Sequence, residues 1–197
     1  MISYVHEVED SVVYRQWYED ERSSIPDYDG SIVDDRSKIL AIKLHRSIIV
    51  DSLPMDIKWY LVTFYSGYMD EFRFLKCNPW STLTGNSYRL GEAYRNIYRD
   101  PVDFMDKNVA EAVSKIRGIE GNDSALRGFR PILVASSDVN TEEDCIIIEG
   151  CHRAVALYSS TSAGDMDAGL RFAFLGVSEG INKNDFAFHP EYKGYNK

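Results

Sequence analysis

Residues 145–160 read Cys145-Ile146-Ile147-Ile148-Glu149-Gly150-Cys151-His152-Arg153-Ala154-Val155-Ala156-Leu157-Tyr158-Ser159-Ser160. Three consecutive isoleucines bounded by a turn residue indicate a short strand. Gly150 makes the turn, and Ala154, Val155 and Leu157 give the following helix an apolar side. A strand running through one glycine into a helix is the unit of an α/β fold. Working outward, residues 130–135 form a second short buried strand, 136–144 a polar loop, 161–169 a small-residue loop and 170–177 a third strand. The polar tail from Ser178 is expected on the surface.

Upstream, the pattern predicts a helix over 103–117, with Phe104, Val109, Ala112, Val113 and Ile116 on one face and Gly118 and Gly121 closing it. Another helix is expected over 88–98, capped by Ser87 and ended by Asp100-Pro101. Residues 38–50 are β-branched and partly alternating, which predicts one strand or two short ones. Ser52-Leu53-Pro54 breaks that run. Residues 55–65 fit either state, and strand–turn–strand over 60–75, turning near Gly67, is as consistent as helix. The first 37 residues are polar and acidic, with a loop signature over 20–30. Val12, Val13, Trp17 and Tyr18 fall on one face of a short helix there.

The chain of 197 residues suits one domain, or one domain with an extension. The expected division is an aromatic-rich N-terminal extension over 1–99 and a compact α/β module, with a mixed sheet, over 100–197. With 31 acidic against 22 basic residues the net charge is −9, and no basic block occurs, which argues against nucleic acid as a partner. No apolar run of about 18 residues exists to span a membrane, and the N-terminus lacks a signal-peptide pattern. The three cysteines, Cys77, Cys145 and Cys151, are odd in number and not spaced as zinc ligands, so a cytoplasmic protein with reduced thiols is the simplest expectation.

The chemistry concentrates at 149–153. A helix start presents unpaired amides and the positive end of the helix dipole, and a preceding glycine lets an anion approach the backbone. Gly150, Cys151, His152 and Arg153 therefore make a candidate phosphate site, with Arg153 as bidentate donor and His152 as donor or proton carrier. Glu149 is placed to act as a base, hold a metal or cap the turn. Cys151 is either a thiolate activated by the helix start and its basic neighbours or a small apolar filler. Farther upstream Trp80, Ser81, Thr82, Thr84, Asn86, Ser87 and Arg89 set hydrogen-bonding groups beside an aromatic wall, either as an acceptor pocket or as a capped loop. Arg95 and Arg99 suit a solvated helix face, and His45 and His189 a structural or exposed place.

The segment Glu149-Gly150-Cys151-His152-Arg153, with its strand before and alanine-rich helix after, resembles the signature of the ParB/sulfiredoxin superfamily. The element order over about residues 100–178 is similar as well. Gly150-Cys151-His152-Arg153 matches the sulfiredoxin motif, which implies Cys151 as nucleophile and His152 and Arg153 on ATP phosphates. Glu149 stands where sulfiredoxins carry glycine. The acidic-Gly-x-His-Arg pattern is closer to the nucleotide-dependent small-molecule kinases of that superfamily, which implies Glu149 as base or metal-proximal group and Cys151 as incidental. Three expectations follow: an ATP- and Mg²⁺-dependent transfer of phosphoryl to a small-molecule acceptor, a thiol enzyme using Cys151, or a non-catalytic module binding a nucleotide or a protein partner.

Overall fold

The triple isoleucine forms a strand covered on both faces, and every other element can be placed from it. The computed structural model describes residues 2–27, 30–99, 106–120, 122–136, 145–164 and 169–181. The chain begins with β1 (Ile2–Val8) and α1 (Asp10–Glu21), and a 3-10 turn (Arg22–Ser24) leads toward α2 (Asp35–His45) and α3 (Ser47–Val50). There follow β2 (Lys58–Tyr65), a second 3-10 turn (Ser66–Glu71), β3 (Arg73–Phe74) and α4 (Trp80–Leu83). Helices α5 (Leu90–Tyr98), α6 (Lys107–Ile119) and α7 (Asp123–Arg127) precede β4 (Ile132–Ala135), β5 (Ile146–Glu149), α8 (Cys151–Ser162) and β6 (Leu170–Val177). The strands join in one mixed sheet of order β1-β2-β6-β4-β5-β3. Strands from residues 1–99 form both edges of it, and β4, β5 and β6 lie inside.

Period-two alternation sorts the sheet's side chains between two helical layers. Ile132 and Val134 of β4, Ile146 and Ile148 of β5 and Phe174 of β6 face a cluster with Val13, Trp17 and Tyr18 of α1, Ile42 of α2 and Ile49 of α3. Leu133, Ala135, Ile147, Ala173 and Leu175 point the other way, toward Leu90 and Ile97, Val109 and Ile116, and Val155 and Leu157. Each of these large side chains, buried, contributes about 1.5–3 kcal/mol of transfer free energy, which is why the inner strands read as unbroken apolar runs.

The strand expected over 38–50 is helix instead. Asp34 and Ser37 form a reciprocal capping box, which launches α2 in the helical register. Ile39, Ile42 and Ile49 then fall on the face that packs over the sheet, while Leu40 and Leu44 point outward. The β-branched content pulled the reading toward strand, but spacings of three and seven fit a helix face. Residues 55–65 resolve as strand from Lys58, and the turn near Gly67 is a 3-10 helix. Residues Ile2–Val8, within the stretch that the sequence gives only as polar and acidic, pair antiparallel with β2. The helix expected from 88 begins at Leu90 with Arg89, not Ser87, as its cap, and the Ser87 hydroxyl accepts from the Arg89 amide at 3.2 Å. The helix expected over 103–117 starts at Lys107, where the Asp106 carboxylate accepts from the Asn108 and Val109 amides, and it runs through Gly118 to Ile119. The expected surface tail begins buried, at Ser178 and Ile181. Phe104, Asp100-Pro101, Gly121, the loop 137–144 and His189 lie outside the described residues. No helix among the described residues is long and apolar enough to cross a membrane.

The helical register of α2 has a direct test. In a strand Ile42 and Leu44 would share a face and respond alike to truncation. In the helix Ile42 is fully buried and Leu44 is 68% exposed. Ile42→Ala is expected to cost about 2–5 kcal/mol in urea unfolding and Leu44→Ala no more than about 0.5 kcal/mol.

Candidate active site

Gly150 takes φ 87° and ψ 20° between β5 and α8, a left-handed conformation that disfavours any residue with a Cβ. The space a Cβ would fill holds the Phe129 ring, 2.4 Å from the ideal position. The chain therefore turns sharply here, and the residues on either side of the glycine enter different surroundings.

Glu149 and Arg153 face α1 and the end of α2. Arg153 Nη2 donates to Glu149 Oε1 at 3.2 Å and Nη1 pairs with Asp20 Oδ1 at 3.1 Å. Its guanidinium also lies 4.7 Å from the centre of the Phe129 ring, a cation–π distance. Glu149 and Glu21 are hydrogen-bonded to each other. Burial, then the hydrogen bond and charge of Glu21, push the Glu149 carboxyl well above its usual range. Burial also pushes Glu21 upward, but hydrogen bonds from Glu149, Arg46 and Trp17 overcome it and hold Glu21 low. Arg46 Nε donates to both Glu21 oxygens, at 2.8 and 2.6 Å, and Trp17 Nε1 donates to Oε1 at 3.0 Å. His45 Nε2 lies 3.4 Å from Glu21 Oε2. With the proton on Glu149, the carboxylates of Asp20 and Glu21 balance the guanidiniums of Arg46 and Arg153. Asp20 accepts from Gln16 Nε2 through the same Oδ1, and its buried Oδ2 has no hydrogen-bond partner among the described residues.

Cys151 and His152 are turned away from that cluster. The Cys151 thiol donates to the Ile147 carbonyl at 3.8 Å, and burial, then the nearby Glu149, pushes it well above the ordinary thiol value. The lowered value expected from the helix start is thus reversed, because enclosure penalises the thiolate more than the dipole favours it. His152 sits against Trp80, ring centres 5.2 Å apart. Burial, then the Lys115 charge, lowers it to about 4, so at neutral pH it is an uncharged imidazole rather than a cation for phosphate.

Of the residues read as an acceptor pocket, Trp80 reaches the site through His152 but is itself a core side chain stacked on Phe74 at 4.1 Å. Thr84 is buried, donating to the Trp80 carbonyl at 2.7 Å and accepting from the Tyr88 amide at 2.9 Å. Ser81 and Asn86 close the same turn through an amide–carbonyl bond of 2.8 Å. Thr82 is exposed, and Arg89 pairs with Glu71 at 3.3 Å. These contacts make a self-satisfied loop. The sequence reading missed Asp20, Glu21, Arg46 and Phe129. Trp17 and Glu21 stand four apart on one helix, which was a legible signal, but the acidic pair had been assigned to a loop.

Comparison with known proteins finds no matching family model, no matching curated protein and no matching solved structure.

Two measurements follow from this geometry. A carboxyl whose pKa is raised by folding contributes stability below its unfolded value of about 4.3 and loses it as pH rises through the folded value. Glu149→Gln keeps a hydrogen-bond donor toward Glu21 and cannot ionise. Its unfolding free energy should therefore hold on the alkaline side while that of the wild type declines, by about 1.4 kcal/mol per pH unit. Parallel pH profiles from pH 5 to about 9 would contradict a proton-bearing Glu149. For Cys151, iodoacetamide labelling read by peptide mass spectrometry is expected to run slower than with a free peptide thiol at neutral pH.

Proposed function

We propose that this chain is a nucleotide-dependent enzyme of ParB/sulfiredoxin type, passing a phosphoryl group from a nucleoside triphosphate such as ATP to a small-molecule acceptor at the junction of β5 and α8. One observation carries this reading. Glu149, Cys151 and His152 all have strongly shifted pKa values around a left-handed glycine at a helix start, and such clustering is characteristic of functional sites.

In this reading Arg153 exchanges Asp20 and Glu149 for phosphate oxygens, which suit its planar fork. The Phe129 ring swings off Gly150 to admit them. The acceptor oxygen forms its bond to the γ-phosphorus as the bond to the β,γ-bridging oxygen breaks, and the nucleoside diphosphate leaves. The acceptor's proton passes to one oxygen of Glu149 while the proton already on Glu149 passes to Glu21. Paired carboxyls can relay a proton in this way because Glu21, beside Arg46, is ionised before the transfer and takes up the proton.

The residues in place do not fit a protein-held Mg²⁺. Magnesium seeks ionised oxygens, whereas Glu149 keeps its proton, and no group of three acidic, histidine or cysteine side chains among the described residues converges as a metal site. No protein step is therefore assigned to the metal, which in this reading arrives on the triphosphate's own oxygens. The raised Cys151 thiol disfavours the thiol-enzyme alternative.

A second reading, a non-catalytic nucleotide- or protein-binding module, is favoured by the closed contacts. Phe129 fills the space at Gly150 and Arg153 is already paired twice, as in a structural clamp. One experiment separates the two. ATP, CTP, GTP and ADP with Mg²⁺ are added to the wild type, Arg153→Ala and Asp20→Asn, and thermal stability and nucleotide turnover are followed. A nucleotide at about 100 times its dissociation constant adds roughly 2.7 kcal/mol. The enzyme reading expects that rise and turnover in the wild type, neither in Arg153→Ala, and a larger rise in Asp20→Asn, where the arginine is released. A clamp lowers the melting temperature of both variants with no nucleotide response, and that result would sink the enzyme reading.

A further inference from the structure

The sheet face that packs against α1, α2 and α3 is covered at one end and open at the other. Along β6, Phe174 is 2% exposed, whereas Phe172, two residues back on the same face, is 42% exposed. Along β2, Trp59 is buried, and Tyr65, farther along the same face, is 54% exposed. We propose that this open end binds a planar aromatic carboxylate, with its ring on Tyr65, Leu170 and Phe172 and its carboxylate on Arg130.

Strand register assembles the surface. Tyr65 of β2 stands directly opposite Leu170 of β6, and Thr63 stands opposite Phe172. Opposed residues of an antiparallel pair project to one side, and diagonal neighbours lie within reach of aromatic side chains. Tyr65, Leu170 and Phe172 therefore form one patch, in which Leu170 is 51% exposed. On the other side of β6, β4 runs parallel with Ile132 beside Phe174. Arg130, two residues earlier, holds its guanidinium 6.0 Å from the centre of the Phe172 ring. Adjacent strands β2, β6 and β4 thus carry apolar side chains and a cation across about 10 Å, or two strand spacings.

Charge selects one end of the ligand. Arg15, Arg46, Arg95 and Arg153 each meet a carboxylate of this chain. Arg130 is exposed, and among the described residues it meets only the Phe172 ring. With 31 acidic residues against 22 basic, an arginine left over an aromatic ring is a cation open to an outside anion. A guanidinium on an aromatic face keeps its donor fork for a carboxylate, which it takes bidentately. One positive charge balances a monoanion, whereas a phosphate dianion would face an acidic protein with a single arginine to hold it.

Apolar surface selects the other end. Exposed apolar residues scattered singly are ordinary, but a group of them rimmed by a polar residue marks a binding surface. The Tyr65 and Phe172 rings receive another ring in offset or edge contact. The surface begins one residue from Phe129, whose ring covers Gly150. Its occupation is independent of the reaction proposed at Glu149.

The test uses indole-3-propionate as probe on the full chain, followed by ¹H–¹⁵N and ¹H–¹³C NMR at about pH 7, where the probe's carboxylate is ionised. Indole-3-propionamide, which lacks the charge, and hexanoate, which lacks the ring, are the controls. The expected result is saturable binding with a dissociation constant on the order of 1 mM, as suits a small ligand on an open face. Nuclear Overhauser contacts should run from the indole to the Tyr65 and Phe172 rings. The amide and hexanoate should each bind about tenfold more weakly, one losing the charge-assisted contact and the other the ring contact. Arg130→Gln should bind acid and amide alike, and Phe172→Ala should weaken both about tenfold. Both side chains are exposed, so unchanged spectra away from the patch are expected to confirm that the variants fold. Equal binding of acid and amide by the wild type, contacts away from Tyr65 and Phe172, an acid preference that survives Arg130→Gln, or no binding up to about 10 mM would each overturn the proposal.

Discussion

The hydrogen bond between Glu21 and Glu149 ties the helical layer of α1 and α2 to the junction of β5 and α8. Two ionised carboxylates so close and so deeply buried would repel each other with little water to screen them. Keeping one proton turns the repulsion into a hydrogen bond, and the remaining charge is taken up by Arg46 through both Glu21 oxygens. The charge balance of the whole cluster then closes, with Arg153 answering Asp20. Removing one member of such a network strands another charge, which costs more than the pair itself contributes. The position of α1 against β5 is therefore fixed by electrostatics as well as by the packing of Trp17 and Ile42.

That arrangement also decides how the start of α8 can be used. A helix N-terminus is ordinarily open to anions, but here acidic side chains from another layer reach Arg153 first, and Phe129 lies over Gly150. The glycine serves two purposes at once, a left-handed turn and the close approach of an aromatic ring. A ligand at this junction must compete with contacts that are already good, so its affinity would be the difference between two sets of interactions rather than the sum of one.

Much of the last third was legible in the sequence because its signals were local. The isoleucine run, the single glycine and the alanine-rich helix state their structure within about ten residues, and β4, β5, α8 and β6 lie close to where the pattern puts them. Residues 38–50 were misread because β-branched residues suit a buried helix face as well as a strand, and only the capping box at Asp34 and Ser37 distinguishes the two. The site was half legible. Glu149 and Arg153 stand four apart across the Gly150 turn and meet. Their partners Asp20, Glu21 and Arg46 lie more than a hundred residues away, and sequence spacing carries no information about such pairs. For Cys151 the sequence leaves two readings open, an activated thiolate and a small apolar filler, and the raised thiol agrees with the second. Its neighbours along the chain point to a reactive thiolate, but its pKa is set by enclosure, which depends on what packs over it in space.

Helix α1 carries charge at both ends, Asp10 at one, paired with Lys43, and Asp20 and Glu21 at the other. Its buried side, Val13, Tyr14, Trp17 and Tyr18, is aromatic and rests on the sheet, so the helix has little freedom to rotate. The first end meets its acidic charge with Lys43 from α2, and the second with Arg46, also just beyond α2. The two cations thus stand three residues apart, Lys43 in the last turn of α2 and Arg46 at its C-terminal cap. A shift of α2 along α1 would alter the two clusters together, loosening Lys43 from Asp10 as it moved Arg46 on Glu21. The capping box that fixes where α2 begins is for that reason a condition for both charge arrangements, and it explains why a short polar loop before residue 38 needs so definite an end.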